Sequence, residues 1–191
     1  IAVIGTNGKT TVTFLLESIL KSAGFNCGVL GTVNYRFQDK TFPAPNTTPE
    51  SYELQRIMRE MADSGVTHVI AEVSSHAIDL KRVDDCDFDL GIFTNLTRDH
   101  LDYHGTMKNY FRAKKRFFTE VLPHSRKNYP EKMIVNADDH WGQMILKESA
   151  LPALTYGIEN DCQLKVMNYE LSLQGITAQI SISGKTMAIR S

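Results

Sequence analysis

The chain has 191 residues, 42% of them hydrophobic and 23% charged, which is enough to bury one core of ordinary globular composition. Its 21 Lys and Arg against 22 Asp and Glu leave a formal net charge of -1, so no general attraction draws it to nucleic acid or to an anionic membrane. Cys27, Cys86 and Cys162 stand far apart with no C-x-x-C spacing, which excludes a disulfide framework or zinc knuckle and fits a reducing cytoplasm.

Short β-branched runs alternate with longer stretches of helical period, the pattern of parallel strands joined by helical crossovers. The predicted class is α/β, a mostly parallel P-loop-type sheet flanked by helices. The sequence opens directly in a strand-like run, 1–4, with neither Met nor a basic leader, which predicts a piece of a longer protein. A helix over 9–23 follows, with Phe14, Leu15, Ile19 and Leu20 as its apolar stripe and Gly24 past its end. After a strand over 27–33 comes a helix over 49–64, with Pro49 in its first turn and Leu54, Ile57, Met58 and Met61 as the buried stripe. Strands over 68–73 and 90–94 precede a third helix, capped by Thr106 and reaching Leu122. A strand over 133–135, a fourth helix from Asp138 or Asp139 through Ile145, and a strand over 153–156 complete an α/β core assigned to 1–160. From Gln163 the pattern becomes polar and apolar alternation, with Gly175 and Gly184 between the runs, so 161–191 is predicted to be a small antiparallel meander packed on the same core.

The first strand runs into Gly5-Thr6-Asn7-Gly8-Lys9-Thr10-Thr11 and then a helix, the order of a phosphate-binding loop. Gly5 and Gly8 let backbone N–H groups turn inward, and the helix start adds positive dipole. Lys9 reaches β- and γ-phosphates, and the Thr10 hydroxyl can ligate Mg²⁺. In the commoner spacing the first glycine would fall at Val3, so this is a shorter variant.

Glu72 emerges at the carboxyl edge of the 68–73 strand, where open α/β sheets bind ligands, and reads either as a Mg²⁺ ligand or as a solvated acid at a strand end. His100 and His104 have i, i+4 spacing, but no Glu follows His100 and Gly105 interrupts at once, which argues against a zinc helix. On the third helix Met107, Tyr110, Phe111, Phe117, Phe118 and Val121 recur at three- and four-residue steps. Lys114 shares that face, either snorkelling to solvent or held there for a purpose. Lys108, Arg112, Lys115 and Arg116 lie at its margins, a solvated face rather than a nucleic-acid patch.

Gly5 to Thr11, Asn46-Thr47-Thr48-Pro49, Glu72 to His76 and the run from Phe93 to Gly105 together resemble the Mur ligases, in the branch that adds the third peptide residue, the MurE type. The loop alone is similar to folylpolyglutamate and cyanophycin synthetases as well, and a nucleotide-binding module without catalysis would also explain it. The resemblance implies that ATP phosphorylates the D-glutamate γ-carboxylate of UDP-N-acetylmuramoyl-L-alanyl-D-glutamate, and that the amine of lysine or meso-diaminopimelate then attacks the acyl phosphate. It implies Gly5, Thr6, Asn7, Gly8, Lys9, Thr10, Thr11 and Asn95 at ATP; Thr10, Glu72 and His100 at Mg²⁺, with Lys114 carbamylated as a further ligand. Lys9, Lys114 and His100 would be catalytic, and Asn46, Thr47, Thr48, Ser74 and Arg82 would face the muramoyl substrate. It further implies a cytoplasmic monomer whose UDP-binding and amino-acid-binding domains lie outside this chain. Ile4 stands where the family usually has Thr, and Leu80 where related enzymes carry Gln; a leucine cannot replace the hydrogen bonds of an amide.

Overall fold

A computed structural model describes residues 1–126 and 132–190. In chain order its strands are β1 (Ala2–Ile4), β2 (Cys27–Leu30), β3 (Tyr35–Phe37), β4 (Lys40–Phe42), β5 (His68–Glu72), β6 (Leu90–Phe93), β7 (Lys132–Asn136), β8 (Ala153–Gly157), β9 (Leu164–Ser172), β10 (Gly175–Ile182) and β11 (Lys185–Arg190). The helices are α1 (Lys9–Ser22), α2 (Ser51–Asp63), α3 (Ser75–Asp79), α4 (Leu101–His104), α5 (Met107–Arg116) and α6 (His140–Glu148). All the strands join one sheet in the order β11-β10-β9-β8-β7-β6-β1-β5-β2-β3-β4. The run from β2 to β9 is parallel throughout, as the α/β pattern predicts.

β1 sits between β5 and β6, each paired with it in parallel, so the chain has placed strands on both sides of it by the time β6 forms. The carboxyl edge above β1 is therefore a switch point of the kind that opens a crevice in an α/β sheet. Alternation along β1 supplies both faces of the core. Ala2 and Ile4 join the cluster under α2, α5 and α6, while Val3 packs with Val29, Ile70 and Ile92 under Val12, Leu16 and Leu20 of α1. Fully burying a valine or isoleucine of this kind contributes about 1.5–3 kcal/mol relative to leaving it in water.

α1 corrects the predicted stripe. Phe14, Leu15 and Ile19 are 44%, 49% and 64% exposed, and of the predicted set only Leu20 faces the sheet. Two apolar stripes wind around this helix, and period alone does not choose between them. The choice is settled by Glu17, which is buried against Arg36 of β3 and Lys21 and so turns the Val12–Leu16–Leu20 side inward. The β3–β4 hairpin that carries Arg36 was not legible as strand: the predicted 27–33 strand stops at Leu30. α2 buries Leu54, Ile57 and Met61 with Met58 half-buried, as expected, but starts after Glu50, leaving Pro49 outside it. Thr106 caps α5 by accepting from the Asn109 N–H, and a π-helical turn over Phe117–Val121 carries the helical path on to Leu122. Asp139, rather than Asp138, caps α6.

The C-terminal strands are antiparallel as predicted, yet they do not form a separate small sheet on the core. β9 pairs in parallel with β8 and so prolongs the main sheet edgewise, with β10 and β11 added beyond it. Of β9 to β11 only Ala178 and Ile180 are buried.

Candidate functional site

The loop between β1 and α1 is shaped by the segment that leaves β6. Thr6 N–H donates to the Asn95 carbonyl at 2.9 Å, and Asn7 N–H to Asn95 Oδ1 at 3.0 Å. Asn95 Nδ2 returns a bond to the Asn7 carbonyl at 3.1 Å, which also accepts from the Thr94 hydroxyl at 2.7 Å. Thr97 N–H donates to Thr6 Oγ1, and Asn7 Nδ2 to Thr97 Oγ1, both at 3.1 Å. A methyl on Gly5 would lie 1.9 Å from Thr94 Oγ1, so glycine is required for this close approach. Gly8, in the left-handed region at φ 84, caps α1 with no side-chain acceptor for the first N–H groups of the helix, and a Cβ there would meet open space. Thr11 is exposed on the same first turn.

Lys9 folds back along its own loop, donating to the Gly5 and Thr6 carbonyls, both at 2.9 Å. Lys114, 1% exposed, reaches the same Gly5 carbonyl at 2.8 Å with its ammonium over the Tyr110 ring. Burial lowers the Lys9 pKa against the opposing pull of Glu72 and Asp99. Lys114 is held well below its ordinary 10.5, first by burial and then by the charge of Lys9, with Asp99 opposing. The aromatic face thus encloses Lys114 and does not let it snorkel.

Glu72 joins the loop to the 46–49 strip. Its carboxylate, also buried, accepts from Thr10 Oγ1 at 3.0 Å, from Thr32 Oγ1 at 3.0 Å and from Thr32 N–H at 3.2 Å. Thr32 Oγ1 lies 3.1 Å from Thr47 Oγ1. Thr48 Oγ1 donates to the Glu72 carbonyl at 2.9 Å and accepts from Ser74 N–H at 3.0 Å, while Arg82 Nη1 donates to the Thr48 carbonyl at 3.2 Å. Asn46 is exposed at the end of this strip, its carbonyl taken by the Tyr35 hydroxyl. The Thr10 hydroxyl and Glu72 carboxylate are hard oxygen donors already side by side, the type that Mg²⁺ takes in small number beside phosphate and water. Among the described residues no group of three or more His, Cys, Asp and Glu is poised around one point, so these donors fit a phosphate-assisted site rather than an all-protein cage.

Among the described residues no bond joins His100 to that pair. It is exposed, in the left-handed region at φ 51, with Nε2 3.4 Å from Asp99 Oδ2 and its ring edge-on to His76 and Tyr110. His104 is buried, its Nε2 2.9 Å from Ser75 Oγ, and burial lowers its pKa, as does the charge of His76. Leu80 is 52% exposed at the end of α3, while Ile4 is fully buried as core. Thr32, Thr94 and Thr97 were not foreseen as site residues, and Tyr110, which holds Thr6 Oγ1 at 3.1 Å, was read only as part of the apolar face. Thr94 and Thr97 had a signal in their place within the run from Phe93 to Gly105, whereas the helical period of Tyr110 marked it only as core.

Strand, compact glycine loop and helix at the switch point, with a buried acid and a buried lysine beside them, define a P-loop α/β domain. The chain belongs to the Mur ligase middle domain family, whose model matches residues 3–191. It is 45% identical over 180 residues to the UDP-N-acetylmuramoyl-L-alanyl-D-glutamate--2,6-diaminopimelate ligase of Geobacter metallireducens, covering 94% of this chain and 35% of that protein. The ligase of the same name from Geobacillus thermodenitrificans is 43% identical over 189 residues, covering 99% of this chain and 39% of that one. A solved structure of a ligase of that name superposes with a TM-score of 0.86 at 29% identity, over 100% of this chain and 38% of that one. E. coli FolC in complex with DHPP and ADP shares the fold, with a TM-score of 0.65 at 19% identity, over 97% of this chain and 47% of that one. The chain thus spans little more than a third of the length of the similar ligases.

Proposed function

We propose that this chain is the ATP-binding part of an ADP-forming ligase that adds a diamino acid to UDP-N-acetylmuramoyl-L-alanyl-D-glutamate in peptidoglycan precursor synthesis. The observation that carries the reading is the Glu72 carboxylate, bonded by Thr10 from the phosphate loop and by Thr32, which meets Thr47, from the strip expected to face the muramoyl substrate. Phosphate donor and carboxylate acceptor would thus meet over one buried acid.

In this reading the loop N–H groups and the start of α1 hold the phosphates, and the Lys9 ammonium leaves its loop carbonyls to follow the γ-phosphate as charge builds. A carboxylate oxygen attacks the γ-phosphorus, ADP leaves, and the amine then attacks the acyl carbon and expels phosphate. Mg²⁺, held by Thr10 and Glu72 with His100 as a further ligand, would neutralise phosphate charge. The lowered pKa of Lys114 favours the neutral amine, whose lone pair can add to CO₂ with loss of one proton, giving a carbamate with two hard oxygens. Thr47, Thr48, Ser74, Asn46 and Arg82 would hold the substrate. Diaminopimelate is the amine named for the similar ligases, with lysine as the alternative.

The domains that bind UDP and the amine are placed outside this chain, and a monomer in the cytoplasm is proposed; no helix among the described residues is long and apolar enough to cross a membrane. The test is ADP release by the full-length protein. It is expected to require both the muramoyl dipeptide and diaminopimelate or lysine. Release supported instead by a folate and glutamate, or by no acceptor at all, would overturn the proposal.

A further inference from the structure

Arg82 is anchored at the foot of α3, where it follows Lys81 at φ 58 and its N–H donates to the Ala77 carbonyl at 2.8 Å. Its side chain is 13% exposed. Nη1 is fixed on the Thr48 carbonyl, and Nη2 meets Glu50 Oε1 at 2.5 Å. Nε is enclosed and has no partner among the described residues. Nε–H and Nη2–H lie on the same edge of a guanidinium, spaced to receive both oxygens of one carboxylate or phosphate. Glu50 fills only half of that edge, and its own side chain is 63% exposed.

The two partners of Arg82 differ in kind. Thr48 is locked, its hydroxyl bonded to the Glu72 carbonyl and the Ser74 N–H. Glu50 is a solvent-facing side chain at the head of α2 that makes no capping bond to its helix. A buried donor left unpaired disfavours the arrangement, and an anion that takes both donors relieves it. We propose that Glu50 is a gate on Arg82: its carboxylate occupies the guanidinium edge until a substrate carboxylate displaces it and bonds both Nε and Nη2. Glu50 then sets how readily Arg82 takes an acceptor. A neutral carboxamide gains less than a carboxylate from the vacated edge, and both must first displace Glu50. The inference rests on the proposal that this strip faces the muramoyl dipeptide.

The test uses the full-length enzyme with Glu50→Gln and Glu50→Ala, read as separate kcat and KM values. The KM for UDP-N-acetylmuramoyl-L-alanyl-D-glutamate is expected to fall about three- to fivefold, the range a partly exposed ion pair supports, with kcat and the KM for ATP unchanged. The KM of the carboxamide analogue is expected to fall by the same factor, because any acceptor that uses this edge must first displace Glu50. A purely structural role at the head of α2 would lower the melting temperature and leave both KM values where they were. An unchanged or raised KM for the dipeptide in both variants, with wild-type turnover intact, overturns the gate alone. Absence of dipeptide-dependent turnover in the wild type overturns the functional reading and the gate with it.

Discussion

The crevice above β1 and the strands β9 to β11 are built by opposite means. Around the crevice most polar side chains are held by residues far away in sequence, as Thr10 is by Glu72, 62 positions on, and Lys114 by the Gly5 carbonyl, 109 positions back. The C-terminal strands hold together by neighbouring backbone ladders, while Met167, Tyr169, Leu171, Leu173, Ile176, Met187 and Ile189 stay exposed. The first region should be intolerant of a single atom. The second should accept large changes.

The largest effects are expected at the two lysines on the Gly5 carbonyl. In the full-length enzyme Lys9→Ala and Lys114→Ala should each lower kcat by about 10²–10³-fold or more, the scale of losing one preorganised charge contact in phosphoryl transfer. Added formate should restore part of the Lys114→Ala activity if the missing group is a carbamate, and Lys115→Ala, paired with Glu148 on the surface, should change little. Near-normal turnover in Lys114→Ala would end its catalytic assignment.

Next comes Gly31, where an added methyl would lie 2.4 Å from Glu72 Oε1. Gly31→Ala should cost about 1–3 kcal/mol by overpacking and weaken Mg²⁺-dependent nucleotide binding together with stability. Denaturant melts and nucleotide titrations on the same sample read both. Loss of stability without loss of binding would mean that Glu72 is structural only.

A smaller, pH-dependent effect is expected at Glu17. Burial pushes its carboxyl up, but hydrogen bonds and charge from Arg36 and Lys21 win and hold it below its ordinary 4.5. A carboxyl whose folded pKa is depressed contributes stability above its unfolded pKa and loses it as pH falls through the folded value. Glu17→Gln should cost about 1–2 kcal/mol at neutral pH and flatten the stability profile below 4.5. An unchanged acid profile would count against the α1–β3 ion pair. The smallest effect is expected at Leu173, fully exposed in the turn after β9, where Leu173→Ser should shift stability by no more than about 0.5 kcal/mol.

The same contrast explains what could be read from the sequence. The phosphate loop was legible because strand, glycines, lysine and helix are contiguous, and Lys114 because helical period set it among aromatics whose burial the structure bears out. The parallel core and the antiparallel tail followed from their patterns. The site roles of Thr32 and Tyr110 were invisible because they act through partners 40 and 104 positions away and have no motif of their own. The facing of α1 failed for a related reason: Phe14, Leu15 and Ile19 are as apolar as Val12, Leu16 and Leu20, and Arg36 on an unforeseen hairpin decides between them. Alternation in the tail showed strands but not that one of its faces would lie open.

The hold that residues 94–97 keep on residues 6 and 7 also sets an order of events. Contacts that span about 90 positions close late, after local helices and hairpins have formed, because a long loop must be ordered before they are made. The phosphate loop, though encoded in seven consecutive residues near the start, cannot take its working shape while the chain that ends in β6 is still unplaced. During refolding, far-ultraviolet ellipticity would recover ahead of nucleotide capture, and the interval between the two signals would time the docking of β6 beside β1.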